Sequence, residues 1–440
     1  MFLYKKIEKA LGMRVLVSDE MSAKIRLWRD VYTGRAPWLD ENVKSMNLCC
    51  AIACELARLT TLEFKSRVSG SERAELIDKS YQNMLVNLRQ NVEYACGIGG
   101  VVLKPFVEDG NLEIEYVSQD RFFPTKVNTR GEIVSAAFCE YRKVGEKQYV
   151  RIEHHEMTNE GVTITNRAFL CGGLFTSYSE VPLSKVSEWS ELSEYVFFEG
   201  VKKPLFAYFK IPFANNFDLS SPLGVSVFSR ALDVICEADK QYSRLLWEFE
   251  GGELAIDASV DAIRQRGKDF VMPHLKERLF RGLDIESEGG DLYSVFAPEL
   301  RDSSIINGLN QLFMRIEDLC GLSRGMLSDL NQNARTATEL KMMRQKTHSS
   351  VTDIQKALEK CLTELVRALS VLCDIYNLAP MGEVNLIFEF DYSIIADRTV
   401  EFKERQTLLE NGVILPWEMR AWYLGESEEM AKEALLSHSQ

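Results

Sequence analysis

The feature that most limits what this chain can fold into is a polar loop that runs into about forty residues of unbroken helical pattern. Thr336 and Glu339 stand at capping-box spacing: the Thr hydroxyl is placed to accept from the backbone N–H three residues on, and the Glu carboxylate to reach back to the first free donor. A helix therefore opens sharply here. From Leu340 onward the apolar residues Met343, Val351, Ile354, Leu358, Leu362, Leu365, Leu369, Leu372 and Tyr376 keep one stripe on one face. No Gly or Pro intervenes before Pro380, and at the α-helical rise the segment spans on the order of 55–60 Å. That exceeds the needs of a small-domain core, so the helix is expected to cross several domains or a large assembly.

A chain of 440 residues fits about three domains, and 46% hydrophobic content is ample for buried cores. The formal charge of −13 argues against holding nucleic acid by phosphate neutralisation, which needs a surplus of clustered Lys and Arg. The 10 cysteines form no paired C-x-x-C ladder, which points to reduced thiols. Cys49, Cys50 and Cys54 make the one cluster; small buried helix residues fit it better than metal ligands. The opening Met-Phe-Leu-Tyr-Lys-Lys is too soon charged for a secretory signal, and no apolar run approaches the ~18 residues of a membrane span. A reducing aqueous compartment and no membrane contact are the expectation.

Along the chain, 1–95 reads as largely helical, with apolar spacing through Met46–Leu62 and Leu76–Val92. Gly97-Ile98-Gly99-Gly100 then precedes a strand-like run. β-branched and aromatic segments follow at Leu112–Val117, Ile133–Arg142, Gln148–Met157, Val162–Leu170 and Tyr195–Tyr208, predicting an antiparallel sheet. After a turn-rich junction at Pro212–Pro222 the pattern predicts a helix over Gly224–Glu250, its buried stripe at Val227, Ala231, Val234, Ala238, Leu245 and Phe249. Residues 253–300 read as a small α/β insertion with strands at Leu254–Ile256, around Phe270 and at Tyr293–Phe296. Helix returns over Ser303–Leu319. Beyond Pro380 come a strand, Val384–Phe390, and a helical tail from Arg398 in which Ser427 is a candidate N-cap. The fold class is α+β, predominantly helical.

Catalytic apparatus is sparse. The glycines at 97–100 lack both a G-x-x-x-x-G-K-[ST] loop and an acidic ribose partner, so a glycine-flanked strand start is the better reading. Glu153-His154-His155-Glu156 lacks H-E-x-x-H spacing, and neighbours on a strand face opposite ways, which predicts surface or interface histidines. Glu389, Asp391 and Asp397 are a conceivable Mg²⁺ cluster, against which a solvated strand exit is the plainer reading. There is no G-x-S-x-G elbow. No metal, no cofactor and no enzymatic activity are expected.

Pro298-Glu299-Leu300-Arg301, the helix Ile305–Leu319, Gly321-Leu322-Ser323 and Thr336-Ala337-Thr338-Glu339 together resemble the portal proteins of tailed bacteriophages, particularly the type found in phages of Gram-positive hosts. Leu223-Gly224-Val225-Ser226, Glu248-Phe249-Glu250-Gly251-Gly252, the strand Leu386–Asp391, and the tail Gly412-Val413-Ile414 through Trp417, Leu424-Gly425 and Glu428–Ala431 extend the resemblance, which covers about 212–435. It implies a portal fold: a wing over 1–222 with a return strand in 381–397, stem helices over 223–250 and 301–322, a clip over 251–300, a tunnel loop over 323–337, a long helix over 338–380 and crown helices over 398–440. It further implies a dodecameric ring at one capsid vertex, assembled in the host bacterial cytoplasm and carried in the virion, through which double-stranded DNA is packaged and ejected. The implied partners are further copies of the chain, the DNA, the terminase, a head-completion or adaptor protein, and the major capsid and scaffolding proteins.

On that resemblance, Arg324, Ser328, Asn331, Gln332, Asn333, Arg335 and Thr336 are candidate DNA-channel residues, and Arg264, Arg266, Lys268, Lys276, Arg278 and Arg281 candidate clip contacts to terminase or adaptor. Two other classes compete. One is a non-ring helical adaptor or scaffold protein whose long helix pairs with a partner; the other is a metal-dependent nuclease or hydrolase using carboxylates near Asp391.

Overall fold

In a computed structural model the described residues are 3–172, 178–252, 255–259, 280–283, 293–296, 299–329, 337–390, 398–424, 426 and 428–437. Helices α1 (Leu3–Leu11), α2 (Asp19–Tyr32) and α3 (Leu48–Thr60) lead to strand β1 (Lys65–Ser69) and helices α4 (Glu72–Leu85) and α5 (Leu88–Ile98). Strands follow: β2 (Gly100–Glu108), β3 (Asn111–Ser118), β4 (Phe122–Val127), β5 (Ile133–Val144), β6 (Lys147–Met157), β7 (Gly161–Cys171), β8 (Tyr178–Val181), β9 (Tyr195–Glu199) and β10 (Ala207–Lys210). Helix α6 (Leu232–Gly251) and helix α7 (Asp302–Cys320) bracket short strands β11 (Ala255–Ser259), β12 (Phe280–Leu283) and β13 (Tyr293–Phe296). Helix α8 (Ala337–Tyr376), strand β14 (Asn385–Glu389) and helices α9 (Arg398–Glu410), α10 (Pro416–Leu424) and α11 (Glu428–Ser437) complete the chain. The fold is α+β, as expected.

Helix α8 begins at the residue after Thr336 and runs 40 residues. Its stripe is used inside the subunit. Val351, Ile354, Leu358, Cys361, Leu362, Leu365, Leu369 and Leu372 are buried, and the helix packs on α3, α4, β2, β10 and β14. Tyr376, the last residue of the expected stripe, is 48% exposed. Arg73 of α4 closes this end. Its buried guanidinium donates to the carbonyls of Ala379 (2.9 Å) and Pro380 (3.0 Å) and pairs with Asp374 at 2.6 Å.

The strands of 100–210 form two antiparallel sheets. One runs β10-β2-β3; the other runs β4-β5-β6-β7-β8, with β9 sharing the outer edge of β7. The expected segment Tyr195–Tyr208 is therefore two strands in different sheets, parted after Glu199 at Gly200, whose φ is +75. Strand β1 pairs with β14, with Ser66 opposite Phe388. In the insertion β11 pairs with β12 in parallel and with β13 antiparallel; the expected positions Leu254 and Phe270 lie outside the described residues.

Three expectations change. Helix α6 starts at Leu232 rather than Gly224, because 223–228 is a buried irregular segment laid against α5. Its buried residues are Leu232, Ile235, Ala238, Asp239, Ser243 and Glu248, while Phe249 is exposed. The histidines of β6 are buried rather than superficial, since β6 lies between β5 and β7 with both faces covered. His155 Nε2 meets Glu153 at 2.7 Å and His154 Nε2 meets Thr125 at 3.1 Å. Burial lowers the His154 pKa to about 4, so this imidazole is neutral at neutral pH. Burial would raise the Glu153 carboxyl, but Lys104 at 2.8 Å, His155 and Arg151 hold it well below the ordinary range. Of the helical cysteine cluster, Cys49 is buried, Cys50 half-buried and Cys54 exposed, and none of the ten cysteines is joined in a disulfide.

The glycine reading at 97–100 has a geometric cause. Gly99 caps α5 at φ +103, and a Cβ there would lie 2.4 Å from the Gly224 carbonyl oxygen. Two backbones touch where no side chain fits. Gly99→Ala is expected to cost about 3 kcal/mol or more, from left-handed strain plus a backbone clash. Urea denaturation checks this, and an unchanged midpoint would contradict the close approach.

Candidate functional site

The loop between α7 and α8 is built from the end of α7 outward. That helix stops because Gly321 adopts φ +73, and its N–H donates to the Glu317 carbonyl. A Cβ at 321 would sit 2.5 Å from Ser350 Oγ, which donates to the Gly321 carbonyl at 2.8 Å. Beyond this turn the chain wraps around one carboxylate. Glu317 is fully buried, and its Oε1 accepts from the backbone N–H groups of Gly325 (3.1 Å), Leu327 (2.6 Å) and Ser328 (2.9 Å). Its Oε2 accepts from Ser328 Oγ at 2.8 Å. Charge-assisted bonds of this kind are shorter and stronger than neutral ones, and they fix the backbone of 325–328 to the helix.

Other contacts fasten both sides. Ser323 N donates to Thr347 Oγ1 at 2.7 Å, which ties the loop to α8. Lys346 of α8 donates to the Asp318 carbonyl at 2.9 Å. The Asn310 side chain clasps Asp329 twice, accepting from its N–H at 2.8 Å and donating to its carbonyl at 3.1 Å. Residues 321–329 are thus pinned to both helices.

The structure separates the two described candidates of the loop. Ser328 is buried and engaged with Glu317, so it positions the loop and presents no surface for DNA. Arg324 is exposed but ion-paired to Asp318 at 3.0 Å. The Arg324 and Lys346 cations hold the Asp318 carboxyl below its ordinary range. Asn331, Gln332, Asn333, Arg335 and Thr336 lie outside the described residues, as does the side chain of Glu339. So do Arg264, Arg266, Lys268, Lys276 and Arg278 of the insertion and the side chain of Arg281, whose backbone sits in β12. Of the suggested Mg²⁺ carboxylates only Glu389 is described, exposed at the end of β14; Asp391 and Asp397 are not, nor is Ser427. Among the described residues no group of three or more His, Cys, Asp or Glu is placed to hold a metal ion.

Sequence reasoning missed Glu317, Asn310 and Thr347. The signal for Glu317 was a carboxylate on the apolar side of α7, next to Ile316 and just before the glycine that ends the helix.

A second clamp closes the neck of the insertion. Arg301, which precedes α7, meets Glu248 near the end of α6 with Nε at 3.1 Å, an Nη at 2.7 Å and its backbone N–H at 3.0 Å. The Arg301 side chain and its N–H lower the Glu248 pKa to about 2. A depressed carboxyl stabilises above its ordinary pKa and loses that contribution as pH falls toward the folded value. The neck is therefore expected to loosen as pH falls from about 5 to about 2. Arg301→Gln should remove that pH dependence in limited proteolysis of the insertion; a wild-type chain equally resistant at both ends of the window would contradict it.

Glu317→Ala leaves three backbone N–H groups and a hydroxyl without their acceptor. It is expected to cost about 3 kcal/mol or more and to raise hydrogen exchange at 325–328 above that of α7. Unchanged exchange there would show that the carboxylate does not hold the loop.

A sequence model of the family described as "Phage portal protein, SPP1 Gp6-like" matches residues 63–435, most of the chain. No curated protein matches it. Among the described residues no helix is long and apolar enough to cross a membrane.

Proposed function

This chain belongs to the SPP1 Gp6-like family of phage portal proteins, and from that membership we propose that it forms a dodecameric ring at one capsid vertex, the channel for packaging and ejecting double-stranded DNA. Portal proteins are structural components of the virion rather than catalysts. In this reading the chain is a non-enzymatic conduit and docking hub, and ATP hydrolysis belongs to a separate motor.

The observation that carries the ring is the apolar exposure on α6 and α7, which on α6 lies on both sides of the buried Glu248. Leu246, Trp247 and Phe249 are 36%, 65% and 45% exposed, and Ile306 of α7 is 44% exposed. A lone subunit leaves this apolar surface in water. A head-to-tail interface repeated by rotation covers it and closes on itself. The helices are then the stem, 251–300 the clip that meets terminase and head-completion proteins through its basic residues, 323–337 the tunnel loop, 398–440 the crown, and 1–222 with β14 the wing that faces capsid and scaffolding proteins.

A loop whose described residues 321–329 are pinned to both helices fits a channel contact, because that gives the polar sequence after Asp329 a fixed starting point. With Arg324 already paired to Asp318 and an acidic chain around it, phosphates are met briefly and released. The adaptor alternative needs the apolar stripe of α8 free for a partner, and that stripe is buried within the subunit.

Light scattering with negative-stain images of the same peak tests the reading. Annular particles of dodecameric mass are expected, and Trp247→Glu should shift them to free subunits. A wild-type protein that stays monomeric or dimeric at high concentration would contradict it.

A further inference from the structure

We propose that the cleft between the β4–β5 turn, the segment 202–212 and the middle of α8 is a binding site for a phosphate-bearing anion. The cleft encloses about 550 Å³, within the range of small-ligand sites. On a chain of net charge −13 its lining is reversed in sign: six cations face two carboxylates.

The carboxylates are already engaged. Glu132 accepts from Asn128 Nδ2 at 2.9 Å and from Lys360 Nζ at 3.3 Å, and Arg130 lies 3.8 Å away. Glu364 lies 4.0 Å from the same Lys360. That leaves Lys202, Lys203, Lys210 and Arg367 with no carboxylate within ion-pair distance among the described residues. Lys202 and Lys203 stand exposed at the rim. Lys210 is half-buried, and its Nζ donates to the Pro222 carbonyl at 2.8 Å. Burial lowers its pKa, a cost that a bound anion would offset. Arg367 is half-buried on α8 and brings a planar fork suited to two oxygens of one phosphate.

Six cations against two carboxylates leave this concavity with a net positive charge, which calls for a multiply charged ligand with several acceptor oxygens. A duplex is too wide to enter a cleft of this volume. The ligand is therefore a free oligophosphate or the exposed edge of a nucleic-acid backbone. This assignment does not rest on the ring.

Isothermal titration of the full chain at low salt tests it, with tripolyphosphate in one series and a short DNA duplex in another. Two variants are compared, Arg367→Gln and the rim pair Lys202→Gln with Lys203→Gln; the rim pair lies on the surface and leaves the core intact. Tripolyphosphate is expected to bind the wild type and to bind each variant at least about tenfold more weakly, the worth of one charge-assisted hydrogen bond. A duplex that binds with the same losses identifies the backbone as the source; a duplex indifferent to the variants identifies a free oligophosphate. No tripolyphosphate binding, or binding equal in the wild type and both variants, overturns the proposal.

Discussion

Burial of the α8 stripe is the constraint on which the rest of the subunit depends. From Val351 to Leu372 one face of a single helix is shared by α3, α4, β2, β10 and β14, elements drawn from three separate stretches of the chain. Each fully buried leucine there contributes roughly 1.5–3 kcal/mol of transfer free energy, which offsets part of the entropy of fixing so long a helix. Because α8 is held rigidly, it offers fixed points to the segments around it. Arg73 binds the carbonyls that follow its last turn, and Thr347 and Ser350, in its first half, receive the loop from α7.

The loop shows how a buried charge can serve geometry. Glu317 is enclosed, a costly position for an ion, yet it is surrounded by three backbone donors and a hydroxyl that exist only if 325–328 adopts one conformation. An apolar residue there would avoid the desolvation cost and lose the conformation. The same reasoning applies at the neck of the insertion, where Glu248 and Arg301 join two helices separated by some fifty residues of chain. Electrostatics in this molecule fixes loops and junctions, while apolar packing fixes the elements between them.

Much of the fold was legible because its elements are strongly periodic. Helix α8 spans 337–376 against an expected 338–380, and β3, β5, β6 and β7 lie within two residues of their expected bounds. What was missed depends on distant partners. Strand β1 reads Lys-Ser-Arg-Val-Ser, with one buried apolar residue, and exists because β14 pairs with it from over three hundred residues away. Strand β4 contains Pro124, which demotes it on pattern alone. The run Val225, Val227, Phe228 resembles a helix start, but it is buried because Gly224 must touch Gly99. His154 and His155 looked superficial on a polar strand whose centrality only the sheet order reveals. Of the loop, the capping spacing and polar character were visible; the carboxylate that positions it was missed, because its one local signal is its place on the apolar side of α7, and the backbone donors it gathers lie eight to eleven residues further on.

The central claim joins a ring to this loop, and a single-particle reconstruction of the assembled protein addresses both at once. The predicted result is an annulus in which residues 321–329 hold the geometry described here and the segment that follows Asp329 lines the central hole, with Trp247 covered by the neighbouring subunit. A particle with two-fold symmetry, or an annulus that carries the α7–α8 loop on its outer rim, would contradict the account.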